Sequence, residues 1–213
     1  SNDIRTLTVY DGELWAGGDF ANAGGCGACD GLVKWDGTAW IGGDFGVDIT
    51  GGVDSTVRVL YVDPSTNLLY MGGHFIELNL DGVINTDCNG VAVYDGSNWA
   101  SLGTGVNSYV RAIHNYNGNI IVGGDFNTAG VVTANKIAKW NPITFSWSAM
   151  GTGMNDYVKS MAVYNGDLYA GGPFTTADGL TRNCIAKWYE APVVAPTAII
   201  NASATSICAG QCI

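Results

Sequence analysis

Histidine is the side chain best suited to proton transfer near neutral pH, and this chain has two, His74 and His114. Neither belongs to a His-x-His or His-Glu-x-x-His arrangement, so a catalytic zinc site has little support. No nucleophile elbow accompanies them, as a serine hydrolase would require. We therefore expect both histidines to be ordinary loop or strand residues, and we predict neither a catalytic residue nor an enzyme.

Six cysteines offer a second kind of chemistry. Cys26 and Cys29 have the Cys-x-x-Cys spacing of redox sites and zinc knuckles, but redox sites place that motif at the start of a helix. Here the motif lies in a glycine-rich stretch, and no second copy completes a zinc site. The spacing favours a local disulfide or isolated thiols in an exported protein. The pairing of the six stays open, and we expect Cys88 and Cys184 to be buried; the remaining two are Cys208 and Cys212.

Aspartates in several loops introduce a third chemistry, because carboxylate oxygens are ligands that Ca²⁺ prefers. These residues are Asp19, Asp44, Asp48, Asp54, Asp81, Asp87 and Asp125. Neither an EF-hand nor a nonapeptide spacing is present. The competing interpretation is ion pairing with a base that recurs at regular intervals, at Arg5, Arg58, Arg111 and Lys159. We predict no metal site and no cofactor, with calcium kept as the alternative.

Aromatic residues recur at two regular positions, and their flat faces are surfaces on which sugar rings stack. The first position holds Trp35, Tyr94, Trp140 and Trp188. The second holds Trp40, Trp99 and Trp147. This regular recurrence favours packing between repeated units, and glycan binding is the alternative.

Composition limits the partners of the chain. Nineteen acidic residues against nine basic ones give a net charge of −10, which argues against nucleic acid and against an anionic membrane surface. A hydrophobic share of 47% is too high for a disordered chain. No apolar run approaches the roughly 20 residues that span a bilayer.

An internal repeat indicates which elements hold these side chains. The tetrapeptide Gly-Gly-x-Phe recurs at residues 17–20, 72–75, 123–126 and 171–174. Turn signals such as Asn117-Gly118 and Asn165-Gly166 precede it and favour tight hairpins. A fifth copy at 42–45 is out of phase, and we interpret it as a coincidence or as part of a loop insertion.

Each unit of about 50 residues contains short runs rich in Val, Ile, Tyr and Trp, which are typical of strands. One four-stranded antiparallel sheet cannot cover both of its faces, so neighbouring units must stack. Such sheets, repeating every roughly 40 to 50 residues, are typical of β-propeller blades. We predict an all-β propeller with four visible blades, alone or within a larger ring, at about 4–56, 57–109, 110–157 and 158–190.

The fourth unit lacks its last strand-like run. Two prolines, Pro192 and Pro196, follow Trp188 and indicate an extended linker at 191–196. Because folded proteins avoid open sheet edges, we expect a strand from upstream of Ser1 to complete this blade. We also expect further units before Ser1 and truncation at both ends.

The repeats resemble those of a known family. Residues 163–174 (VYNGDLYAGGPF) with 183–188 (NCIAKW) resemble the kelch-like propeller repeats of large secreted bacterial proteins, and similar repeats occur in fungal cortical polarity-marker proteins. The resemblance covers roughly residues 4–190. Residues 197–213, after the linker, resemble the first strands of a polycystic-kidney-disease-type (PKD) immunoglobulin-like domain. In Bacteroidetes-type surface proteins this combination implies export by a type IX secretion pathway.

These features predict a non-catalytic, secreted or cell-surface module that binds an extracellular glycan or protein, or that self-associates in an extracellular assembly. Propellers present variable loops at the ends of a rigid scaffold, and loops carry most binding function. The longest loops, at 21–31, 42–56 and 76–89, are where we expect a ligand. The alternative function is a polysaccharide-acting hydrolase, lyase or oxidase on the same scaffold.

Overall fold

The computed structural model describes residues 3–21, 23–26, 31–42, 48–50, 56–80 and 83–188, with only the backbone of 48–50, 77–80 and 83–87. These residues form β-strands and turns, with one 3-10 turn at Ala23–Gly25. None of the described residues forms a helix of the length and apolar character that crossing a membrane requires. The expected linker at 191–196, the PKD-like segment at 197–213 and most of the fifth Gly-Gly-x-Phe copy lie outside the described residues.

The first two repeats each fold into a four-stranded antiparallel sheet, here called a blade, whose inner strand comes first in the sequence. Blade one consists of β1 (Asp3–Tyr10), β2 (Glu13–Asp19), β3 (Leu32–Trp35) and β4 (Trp40–Ile41). A small three-stranded sheet joins β5 (Asp48–Thr50) to the hairpin β8 (Glu77–Leu80) and β9 (Val83–Asp87). Blade two consists of β6 (Thr56–Asp63), β7 (Leu68–His74), β10 (Val91–Tyr94) and β11 (Trp99–Ser101).

The third and fourth repeats follow the same plan, and each adds a short hairpin. Blade three consists of β12 (Val110–Tyr116), β13 (Asn119–Gly124), β16 (Ile137–Asn141) and β17 (Ser146–Ala149), with the hairpin β14 (Thr128–Ala129) and β15 (Val132–Thr133). In the described residues blade four has three strands, β18 (Ser160–Tyr164), β19 (Asp167–Gly171) and β22 (Ile185–Trp188), with the hairpin β20 (Thr176–Ala177) and β21 (Leu180–Thr181). The predicted all-β architecture of four-stranded antiparallel blades is confirmed.

The pair of glycines in each repeat allows close packing. A methyl group on the first glycine (Gly17, Gly72 or Gly123) would lie within 3.0 Å of a valine side chain of the next blade. A methyl group on the second (Gly18, Gly73, Gly124 or Gly172) would lie within 3.0 Å of a backbone oxygen of the same blade. The phenylalanines that end the motif are buried as well: Phe20, Phe75, Phe126 and Phe174. Glycine is therefore required at these positions by space.

Three hydrophobic clusters connect consecutive blades. The cluster between blades one and two contains Leu32 of β3 with Val57 and Leu60 of β6. The corresponding sets are Val91, Val110 and Ile113 between blades two and three, and Ile137, Val158 and Met161 between blades three and four. The first strand of each following blade thus packs on the preceding blade, and the valine near its start (Val57, Val110 or Val158) is fully buried.

Candidate functional site

A β-bulge positions one basic residue in each of the first three blades. The register between the inner strand and its neighbour shifts around Arg5, Arg58 and Arg111. A bulge leaves one residue unpaired and redirects its side chain, which is why bulges are frequent near functional sites. The three guanidinium groups lie close enough that Arg5 and Arg111 both act electrostatically on Arg58.

In blades one and three the bulged arginine has a carboxylate partner, the aspartate of the Gly-Gly-Asp-Phe motif. Arg111 lies with Nη2 at 2.7 Å from Asp125 Oδ2, and its Nε donates to the same oxygen at 2.8 Å. Arg5 is 3.8 Å from Asp19. The predicted pairing of the recurring bases with aspartates is confirmed in these two blades.

Blade two differs because His74 replaces the aspartate at this position. The Nε atom of Arg58 is buried and has no hydrogen-bond partner among the described residues. Burial, followed by the nearby charges of Arg111 and Arg5, lowers the pKa of the Arg58 guanidinium. Arg58 is therefore a half-buried cation that lacks, among the described residues, the aspartate ion pair that Arg5 and Arg111 make.

The Tyr109 ring packs against the Arg58 guanidinium. The guanidinium carbon lies 4.6 Å from the centroid of the Tyr109 ring, within the range of a cation–π contact. The His74 ring stacks on the same tyrosine, with centroids 4.1 Å apart and planes inclined by 20°. Arg111 makes the equivalent contact with Tyr157, at 4.5 Å, so the stacking recurs in the repeat. Tyr109 thus joins Arg58 and His74 into one group.

We call this group the Arg58 site, and one of its members, His74, lines an open cleft. His74, Asn89 and Asn107 are among the residues that line a cavity of about 200 Å³. Ile76 and Asn89, which are the two ends of the predicted ligand loop 76–89, also line it. The loop at 21–31 is only partly described and the loop at 42–56 mostly lies outside the described residues, so neither is placed as a site.

Sequence reasoning treated Arg58 as one of four equivalent bases, and the structure distinguishes it from the others. The signal was present in the sequence, since His74 interrupts the aspartate position of the motif. Tyr109 was missed because it lies just before the β12 strand, outside the aligned repeat positions. His114, the second histidine, contacts the Tyr61 ring at 5.1 Å and the Asn115 carbonyl oxygen at 2.8 Å, within β12 and its neighbour.

The cysteines are only partly as predicted. Cys26 is disulfide-bonded, and Cys29 lies outside the described residues. Cys88 is a buried thiol, which agrees with the prediction. Cys184 is an exposed thiol, so the prediction that it is buried was wrong. It belongs to blade four, and the described residues include no later blade that would cover this loop.

The predicted calcium ligands do not converge in the described part of the chain. Asp19 and Asp125 face arginines, and no group of three or more His, Cys, Asp or Glu residues within the described ranges could hold a metal ion. Side chains of Asp48 and Asp87 are not described, and the remaining loop aspartates, Asp44, Asp54 and Asp81, lie outside the described residues.

The recurring aromatic residues pack both between blades, as predicted, and within a blade. Trp147 of blade three donates its indole N–H to the Leu102 carbonyl oxygen of blade two at 2.7 Å. Trp35 faces Trp40 at 5.5 Å between ring centroids, and Trp140 faces Trp147 at 5.2 Å, each pair across neighbouring strands. Tyr94 does reach the preceding blade, where its ring lies 5.7 Å from that of Trp15. Trp99, Trp140 and Trp147 are buried and offer no face to a sugar.

Comparison with known proteins shows the fold. No family model matches the chain, and no curated protein matches it. Among solved structures, an extracellular domain assigned to a one component system of B. thetaiotaomicron matches with a TM-score of 0.51 and 19% identity over 79% of this chain. The computationally designed Ika4 protein matches with a TM-score of 0.50 and 17% identity over 88% of this chain.

The chain covers different fractions of the structures that it matches. The chain spans about a fifth of the B. thetaiotaomicron chain (20%) and most of Ika4 (91%). The WD40 β-propeller domain of Doa1 gives a TM-score of 0.41, with 15% identity over 89% of this chain and 64% of that chain. At these identities the likeness to the first two structures concerns architecture alone.

Proposed function

We propose that this chain is a non-catalytic binding module of a secreted or surface-anchored protein, and that the Arg58 site holds an anionic group of its extracellular ligand. The observation that carries the proposal is the buried Nε of Arg58, which has no hydrogen-bond partner among the described residues, in a row whose other two arginines pair with aspartates. A half-buried cation near two like charges is stabilised by an anion, because the anion replaces the lost hydration and offsets the repulsion.

The geometry suits a carboxylate or a sulfate. A guanidinium offers several donors in a planar fork, and stacking on an aromatic ring leaves that fork oriented for bidentate contact. Tyr109 supplies the ring, and the cleft lined by His74 and Asn89 supplies room for the rest of the ligand. We propose an acidic polysaccharide as the ligand, because this class combines carboxylate or sulfate groups with the proposed extracellular location.

The extracellular setting rests on two observations. One structural neighbour is an extracellular domain, and the repeats resemble kelch-like units of secreted bacterial proteins. A role in adhesion, a following PKD-type domain and export by type IX secretion belong to the same proposal. They are consistent with the acidic, cysteine-containing composition of the chain.

Titration calorimetry with polygalacturonate, a carboxylated polysaccharide, and chondroitin sulfate tests the proposal, with neutral dextran as the reference ligand. We expect at least one acidic polymer to bind wild-type protein, dextran to fail, and Arg58→Gln to weaken binding at least about tenfold, or about 1.4 kcal/mol. Arg182→Gln removes the same charge from an exposed position and should bind like wild type.

A second variant separates loss of the site from loss of the fold. His74→Asp restores the Gly-Gly-Asp-Phe motif, so Arg58 gains the ion pair that Arg111 has. We expect this variant to lose polysaccharide binding while its melting temperature stays at or above that of wild type. Unchanged binding by both His74→Asp and Arg58→Gln would refute the site.

The enzymatic alternative predicts turnover of the same polymers. Incubation with polygalacturonate, followed by assays for reducing ends and for unsaturated products, distinguishes a hydrolase or lyase from a binding module. Product formation that disappears in His74→Gln, or in a variant lacking both Asp19 and Asp125, would replace the binding proposal by the enzymatic one.

A further inference from the structure

Three Asn-Gly dipeptides occur in the chain, at Asn89, Asn117 and Asn165, and this dipeptide can react without an enzyme. The backbone nitrogen of the glycine attacks Cγ of the asparagine, since glycine has no side chain to obstruct the approach. A bond forms between that nitrogen and Cγ, the bond from Cγ to Nδ2 breaks, and Nδ2 leaves as ammonia with the glycine amide proton. Water then opens the resulting succinimide ring to aspartate or isoaspartate. Burial and hydrogen bonds that restrain the two reacting groups therefore determine which dipeptide reacts in the folded chain.

The first dipeptide, Asn89-Gly90, is restrained at both reacting groups. The Gly90 N–H donates to the Phe75 carbonyl oxygen at 2.8 Å, and the Asn89 side-chain amide donates to the Thr104 carbonyl oxygen at 3.0 Å. Gly90 is also buried. The reaction must break both hydrogen bonds, so we expect it only from locally unfolded chain.

The second dipeptide, Asn117-Gly118, lies exposed in the turn between β12 and β13, where a neighbouring side chain restrains the attacking nitrogen. The Gly118 N–H donates to Asn115 Oδ1 at 3.2 Å. Asn115 is itself held in place, because its Nδ2 donates to Asp63 Oδ2 at 2.7 Å. One hydrogen bond therefore opposes the reaction at Asn117.

The third dipeptide, Asn165-Gly166, forms the same turn between β18 and β19 without that hydrogen bond. Its φ angles are 51° and 81°, against 51° and 73° in the second dipeptide. Val163 stands at the position of Asn115 and has no side-chain acceptor. Among the described residues, neither the Gly166 N–H nor the Asn165 side-chain amide has a hydrogen-bond partner.

The openness of this turn is a property of the repeat. A methyl group added at Gly166 would meet nothing within 4 Å beyond its chain neighbours. The same is true at Gly118 of blade three, which contacts a blade on either side. The missing side-chain acceptor, rather than exposure, thus distinguishes the third dipeptide from the second.

We propose that Asn165 is a site of spontaneous deamidation, which adds a negative charge to the turn between β18 and β19 of the folded protein. The fold accommodates the aspartate product, because Asp11-Gly12 forms the same turn in blade one with φ angles of 52° and 81°. The isoaspartate product adds one methylene group to the backbone between the paired residues Tyr164 and Asp167. This inference is independent of the Arg58 site.

Tryptic peptide mapping by mass spectrometry follows the three sites separately. Cleavage after Arg58, Arg111, Lys136, Lys159 and Arg182 places them on three different peptides. In folded protein kept in mildly alkaline buffer, we expect Asn165 to deamidate roughly two- to tenfold faster than Asn117, which is the factor that one hydrogen bond provides. Asn89 should react slowest. In urea the three rates should converge, because the restraints are removed and the reacting pair is the same.

A variant that restores the missing acceptor tests the cause. Val163→Asn places an amide at the position of Asn115, on a side chain that is 37% exposed, and should slow deamidation of Asn165 to the rate of Asn117. Ala162→Asn introduces the same amide on the opposite face of β18 and should leave the rate unchanged. Circular dichroism checks that both variants are folded.

Two results would overturn the proposal. One is folded wild-type protein in which Asn117 or Asn89 deamidates as fast as Asn165. The other is a folded Val163→Asn variant in which the rate at Asn165 equals that of wild type.

Discussion

The replacement of one aspartate by His74 distinguishes the bulged arginine of blade two from that of blade three. Arg111 and Arg58 occupy the same bulge in successive blades, and they differ in whether an aspartate stands opposite. In blade three the ion pair with Asp125 satisfies the guanidinium, whereas His74 leaves the charge of Arg58 for another partner. In a repeat protein the departures from the repeat are therefore the positions to test for binding.

Tyr70 provides a prediction on pH. Burial, with a smaller contribution from the Asp63 carboxylate, raises the pKa of Tyr70 to about 12 from 10.0. Between these values the unfolded chain releases the phenolic proton while the folded chain retains it. The free energy of unfolding should therefore be insensitive to Tyr70 below pH 10 and fall by up to about 1.4 kcal/mol per pH unit above it.

Urea unfolding at a series of alkaline pH values measures this slope. Tyr70→Phe should flatten it without removing it, because burial also raises the pKa of Tyr10, Tyr61 and Tyr94. Tyr164→Phe removes an exposed hydroxyl and serves as the matched control. A slope that is identical in wild type and Tyr70→Phe would contradict the assignment.

At the scale of strands, the glycine pair couples hairpin geometry to blade packing. The backbone N–H of the second glycine donates to the carbonyl oxygen of the residue just before the third strand of the blade. The distance is 2.9 Å from Gly18 N to Gly31 O and 3.0 Å from Gly73 N to Gly90 O. That bond closes the loop, while the first glycine leaves space for the next blade. The Gly-Gly dipeptide thus determines both the closure of the loop and the packing of the next blade.

Because of this coupling, replacing the first glycine of the motif by alanine should destabilise the protein by different amounts in different blades. Gly123→Ala places a methyl group 2.6 Å from Val158 Cγ1 and should lower the free energy of unfolding by about 1–3 kcal/mol. Gly171→Ala meets only Ser160 Oγ, at 3.1 Å, and should change it by less than about 1 kcal/mol. Denaturant unfolding of the two variants and of wild type measures both changes in the free energy of unfolding. Equal destabilisation by both would contradict the packing argument.

Sequence reasoning reached the hairpins because their turns depend on local chemistry. Asn117-Gly118 and Asn165-Gly166 have positive φ at both residues, as a type I′ turn requires. Asp36-Gly37 has positive φ at the glycine alone, and the Asp36 carboxylate instead accepts the backbone N–H groups of Thr38 and Ala39. An Asn-Gly or Asp-Gly dipeptide can therefore form either of two turn types, and hydrogen bonds from the side chain determine which one forms.

The Arg58 site was less accessible to sequence reasoning than the blades. The repeat shows which residues are equivalent, so the arginine–aspartate pairs could be predicted. The contact of Tyr109 with Arg58 and His74 depends on how one blade approaches the next, which spacing along the chain does not contain. The recurrence of the aromatic residues predicted their packing between blades, whereas the additional contacts within blades depend on strand order.

For the molecule as a whole, each blade contacts its neighbours in sequence, so stability is close to a sum of blade and interface contributions. Among the described residues, blades two and three each contact two other blades, whereas blades one and four each contact one. The first strands of the blades reflect this difference. Four of the seven residues of β12 are buried, whereas four of the five residues of β18 are exposed.

Hydrogen exchange should therefore be graded along the chain. We expect the amides of β7 and β13 to exchange most slowly, through global unfolding, and those of β1 and β18 to exchange fastest among the inner strands, through local opening at the ends. Mass spectrometry of exchange at dilution measures the gradient, and Gly123→Ala should speed exchange in β18 more than in β7. Uniform protection across all four blades would show that the chain unfolds as one cooperative unit, which a linear array of interfaces does not predict.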